Sequence, residues 1–167
     1  MLSKLVFALL LAIIWVPSFA SSMIEALTSD MHRKYAELNT KYAYCKALRK
    51  QYAYHASIDD KWFNALPREK QRSAILFAFS YETEKCAQLE RANYTESMLD
   101  YVANTGDEQP YKEWVKLSAK MEDEISQFDA LGIERLRAFS DSQFNHPFDA
   151  MKMMKALSLY GNPNKAK

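Results

Sequence analysis

Glycine is nearly absent from this chain, and that restricts its fold more than any other feature. Three glycines and five prolines punctuate 167 residues. Sheet proteins need tight, glycine-containing turns between β-branched strands. This chain is also poor in valine, and its strand signals are almost absent. The punctuation falls in an order that suits helices instead. Pro67 precedes Gly106, Pro110 precedes Gly132, and Pro147 precedes Gly161. Proline is favoured in the first helical turn and glycine just past the last. The three pairs therefore bracket three helical blocks, with a fourth upstream. The predicted fold is all-α: a four- to five-helix array with a long antiparallel helical hairpin stapled by one disulfide.

The upstream block spans about 22–56. Ile24, Leu27, Met31, Tyr35, Leu38, Tyr42, Cys45 and Tyr52 form its apolar stripe at helical spacing. The second block, about 67–105, is too long for one straight helix, and the capping side chains of Asn93-Tyr94-Thr95 predict a break there. The third block carries Trp114, Leu117, Met121, Ile125, Phe128 and Leu131 on one face. A short helix over 133–139 follows Gly132. A last helix covers 147–160 with Asn145 as its cap, and 162–167 reads as a flexible tail.

The first twenty residues read as a secretory signal peptide. Lys4 gives a positive start, residues 5–16 are an apolar run, and Ser18-Phe19-Ala20 puts small residues where a signal peptidase acts. The run is about twelve residues, short of the roughly twenty that span a bilayer. Cleavage is expected after Ala20, leaving one helical domain over 21–161 with no membrane span. Ser21-Ser22 stand where a lipoprotein would need cysteine. The predicted location is periplasmic or extracellular. Without Lys4, basic and acidic residues balance at 21 each. Neutrality argues against a nucleic-acid partner, which calls for a basic excess.

In an exported chain, the cysteine pair Cys45 and Cys86 reads as one disulfide. The rival readings are a metal pair and two buried thiols. If the two long blocks pack antiparallel around this bridge, facing residue numbers sum to about 131. That register sets Tyr42 against Leu89, Tyr52 against Phe79 and Ala56 against Ile75. It also sets Arg49 against Glu82. Arg49 interrupts an apolar stripe, and a charge near a core is costly unless paired. A buried Arg49–Glu82 ion pair is therefore expected; the alternative has Arg49 snorkelling to water. Trp62, Phe63 and Leu66 are expected to fold back onto the overhang of the second block, with Asp59 capping a short helix. An exposed aromatic loop is the alternative.

No catalytic motif stands out. The histidines His32, His55 and His146 form no zinc or di-iron array. Nucleophile elbows and phosphate-binding loops need glycines that the chain lacks. Met151, Met153 and Met154 follow His146, a soft-donor set that suits Cu(I). Core packing of these methionines is the stronger reading, because Lys152 and Lys155 intervene and Met151 and Met154 share a face with Phe148 and Leu157. Tyr44 and Tyr54 fall off the apolar stripe. They would serve either a docking face, together with Trp62, or the cover of other helices. The expected function is an exported soluble binding module, of inhibitor, immunity or adaptor type, acting on another envelope or extracellular protein. No cofactor is expected. The alternatives are copper handling through the His146/Met151–Met154 region and a small hydrolase without a readable motif.

Overall fold

The structure, a computed structural model, describes residues 16–118, 126 and 128–160. Most of the predicted signal peptide, the 162–167 tail, and Met121 and Ile125 lie outside the described residues. The elements are α1 (Val16–Leu48), closed by a 3-10 turn (Arg49–Gln51), then α2 (Lys61–Ala65), α3 (Arg68–Cys86), α4 (Gln88–Thr105), α5 (Gln109–Ser118), α6 (Ala130–Gln143) and α7 (Ala150–Ala156). The fold is all-α, with seven α-helices among the described residues, more than the four or five expected because α2, α5 and α7 are short. None of the described helices is long and apolar enough to cross a membrane.

The disulfide joins Cys45 to Cys86 with their Cα atoms 6.1 Å apart. From that point α1 runs antiparallel to α4, and the contacts stay within about a turn of the predicted register. Lys41 pairs with Glu90 (3.7 Å), Arg91 donates to the Tyr42 hydroxyl (3.0 Å), the Tyr35 and Tyr94 rings lie 5.3 Å apart, and Ser97 donates to Asp30 (2.7 Å). The individual pairs differ from expectation. Tyr42 meets Arg91 while Leu89 points to solvent, 69% exposed. Beyond Gln51 the chain is extended, so Tyr52 packs on Phe144, Phe148 and His146, and Ala56 is exposed.

Two apolar cores result. Met31, Leu38, Cys45, Ala87, Tyr94 and Met98 join α1 to α4, with Trp114 of α5 against them. Phe63, Ile75, Phe77, Leu136, Phe139, Phe148 and Met153 join α2, α3, α6 and α7. The chain crosses between the cores at Ala87, whose φ of −109° and ψ of 15° leave the helical region. A straight helix over 67–105 would be about 57 Å long and would present one stripe to one core. The break at Ala87 lets α3 serve one core and α4 the other. Asn93-Tyr94-Thr95 is therefore no break: Tyr94 is buried in mid-α4 and Thr95 donates to the Arg91 carbonyl (2.8 Å).

Aspartates cap the starts of α2, α6 and α7. Asp60, not Asp59, accepts from Phe63 N (2.8 Å) at α2. Asp129 accepts from Gly132 N (2.7 Å), which puts Gly132 inside the first turn of α6 rather than past a helix end. Asp149, not Asn145, accepts from Lys152 N (3.0 Å), and Pro147 is fully buried before α7 begins. Gly106 does close a helix. It follows α4 at φ 72°, a left-handed conformation that costs a residue without Cβ little.

Candidate binding groove

The expected Arg49–Glu82 pair does not form. Arg49 belongs to the 3-10 turn, which takes its guanidinium off the helical phase of α1. It donates to Thr83 Oγ1 (3.2 Å) and lies 4.6 Å over the Phe79 ring, and its Nε is buried without a hydrogen-bond partner. Glu82 is 2% exposed, and the cation that reaches it is Lys85, with Nζ 3.7 Å from an Oε1 that has no hydrogen bond. Burial pushes the Glu82 carboxyl above its ordinary range, with Asp141 adding to the rise and Lys85 and His146 opposing it. Burial also lowers Arg49, against the pull of Asp149 and Tyr54.

The aromatic residues singled out by sequence are dispersed. Tyr44 is exposed on α1 with Lys41 Nζ 5.3 Å from its ring centre. Tyr54 is half-buried and serves the fold: its hydroxyl accepts from Asp149 N (2.8 Å) and donates to the Arg49 carbonyl (3.3 Å). Trp62 folds back, but its ring partners, Phe128 and Phe139, lie outside the second block onto which it was expected to pack, and the Arg135 guanidinium is 5.7 Å from its ring. Met153 and Met154 are buried in the core, Met151 is exposed, and the half-buried His146 packs edge-on against Tyr52 (5.0 Å). Among the described residues no group of three or more histidine, cysteine or carboxylate side chains is placed to hold a metal.

A groove of about 930 Å³ is lined by α3, α4 and α6. Its residues recur at helical spacing on three helices. Phe77, Tyr81, Glu84 and Lys85 of α3 form the floor; Gln88, Arg91, Ala92, Thr95, Glu96 and Leu99 of α4 form one wall; Ile133 and Arg137 of α6 form the other. Bundle grooves of this size suit small ligands or a partner's helix.

Part of the groove's charge is fixed. Arg91 pairs with Glu84 (3.1 Å) and lies 4.8 Å over Trp114, tying the α4 wall to α5 and, through Tyr42, to α1. At the α6 end Lys85 binds Asp141 (2.6 Å), and the Tyr81 hydroxyl shares the same carboxylate (3.3 Å). That contact holds Asp141 below and Lys85 above their ordinary ranges. Burial, then Asp141, push Tyr81 up. Glu96 and Asp100 on the α4 rim and Arg137 on the α6 rim have no ionic partner among the described residues.

Sequence reasoning missed this groove. It depends on the change of direction at Ala87, which no proline or glycine announces. The one available signal was the spacing of Gln88, Ala92, Thr95 and Leu99, a second face of α4 less polar than an exposed helix needs. No family model, curated protein or solved structure matches the chain.

Proposed function

We propose that the protein is an exported, non-catalytic binding module that seats an amphipathic helix of another envelope or extracellular protein in the groove between α4 and α6. One observation carries this reading. A channel lined by Phe77, Tyr81, Leu99 and Ile133 also carries charges of opposite sign that have no ionic partner among the described residues, Glu96 and Asp100 on α4 and Arg137 on α6. A helix with an apolar stripe, basic on one edge and acidic on the other, satisfies all three rim charges and covers the half-exposed Leu99. Export is supported by the leader-like first twenty residues and by the disulfide, which persists in oxidising compartments. The bridge and the Arg91 contacts fix the α4 wall beforehand, which lowers the ordering cost of binding.

The test is charge reversal of one rim, Glu96→Lys with Asp100→Lys, read by affinity capture from the exported fraction and by cross-linking of the captured partner. The expected result is loss of a stoichiometric partner whose cross-linked segment has an apolar helical stripe edged with basic residues. The same partner survives Leu131→Ser, at an exposed apolar site outside the groove. Retention of that partner after reversal, or capture of none, defeats the proposal.

A further inference from the structure

A second concavity, of about 290 Å³, opens between α1, α4 and the first turns of α5. Its wall is aromatic. Tyr35 and Tyr94 stand 5.3 Å apart, and Trp114 meets Tyr94 edge-on at 5.0 Å. Met31 closes the inner end and the exposed Leu117 forms part of the lip. Two carboxylates complete the rim. Asp107 accepts from the Tyr101 hydroxyl (3.1 Å) and from Gln109 N (3.0 Å), and Glu113 accepts from Gln109 Nε2 (2.8 Å). All three donors are neutral. Neither carboxylate forms an ion pair among the described residues; no lysine or arginine lines the cavity, and its one basic side chain is the exposed His32. Arg91 lies against the Trp114 ring, but its charge is matched by Glu84.

The chemistry of this lining selects one class of ligand. Aromatic faces carry negative quadrupole potential, and two uncompensated carboxylates add to it. A small, strongly hydrated metal ion would need oxygen donors on several sides, whereas this cavity combines three aromatic rings with only two carboxylates. A weakly hydrated, alkylated ammonium matches both. The upward push on the Tyr94 phenol, from burial first and then Tyr35 and Glu113, agrees with a site that disfavours further negative charge. We propose that the cavity formed by Tyr35, Tyr94, Trp114, Asp107 and Glu113 binds a quaternary ammonium group. The inference is independent of the groove and of its partner.

Choline is the first probe and its neutral isostere 3,3-dimethylbutanol the second, each titrated while the Trp114 indole N–H is followed by NMR. Choline is expected to saturate with a Kd of about 1 mM or tighter, and the isostere to bind about five- to tenfold more weakly, the worth of a half-exposed cation–π contact. Glu113→Gln and Tyr35→Ala, at exposed positions that leave the buried core intact, are each expected to weaken choline about threefold or more. Vesicles of phosphatidylcholine against phosphatidylglycerol separate the sources. Preference for the former assigns the group to a lipid headgroup; equal association assigns it to a free small molecule. Equal affinity for choline and the isostere, no saturation, or indifference to both substitutions overturns the proposal.

Discussion

Removing the Cys45–Cys86 bridge is expected to cost about 4 kcal/mol of stability. The two cysteines are 41 residues apart, and in the chain-entropy description closing a loop of that length removes roughly 13 cal/mol/K from the unfolded chain. For a domain of this size, 4 kcal/mol corresponds to a fall in Tm of roughly 8–16 °C. The loss should be uneven. Cys45 is fully buried at the C-terminal end of α1; the other ties from that end to the second core are the extended segment after Gln51 and the noncovalent contacts of Arg49 with Thr83 and Phe79. The bridge therefore forbids α1 from swinging away as a unit, and its removal opens that motion. Urea unfolding of the Cys45→Ala/Cys86→Ala variant measures the total, and amide hydrogen exchange measures its distribution. Protection should fall most in α1 and α4 and least in α6. A cost under about 1 kcal/mol, or an equal loss of protection in all helices, would refute the reasoning.

Glu82→Gln is expected to stabilise the protein at neutral pH by about 1 kcal/mol or more, because a buried carboxylate oxygen without a hydrogen bond is then no longer charged. The sign follows from the raised carboxyl: the folded state holds its proton longer than the unfolded chain, so the native protein loses stability as pH rises through the carboxylate range. Below about pH 4 the Gln variant should have no advantage in urea unfolding; a loss at neutral pH would contradict this. Tyr54→Phe removes the acceptor of Asp149 N and should cost about 1 kcal/mol by thermal unfolding. Asp60→Ala removes both the α2 cap and the contact with Arg135 (3.1 Å) and should cost about 1–2 kcal/mol, most of which Asp60→Asn restores.

The helical class, the bridge and the antiparallel register were readable because each rests on local chemistry: scarce turn residues, paired cysteines and an apolar period. The cap at Gly106 was readable for the same reason. Features set by competition between two cores were not. Tyr52 and Tyr54 continue the composition of α1, yet the second core gains more by taking Tyr52 among Phe144, Phe148 and His146 than α1 would by extending. Gly132 resembles a helix end until Asp129 is seen to accept its N–H. Arg49 was placed opposite Glu82 by helical geometry that stops at Leu48. Of the residues selected for interaction, Tyr54 serves the fold and only Tyr44 is freely exposed; the groove consists of residues too mixed in polarity to stand out along the chain.

The most direct measurement places a photo-activatable cross-linker at Leu99, on the α4 wall, and separately at Leu131, exposed outside the groove, in protein expressed in its own compartment. The account predicts one dominant adduct from position 99, mapping to an amphipathic helix of a second exported protein, and none of it from position 131. Equal labelling from both positions, or no adduct at 99, would contradict it.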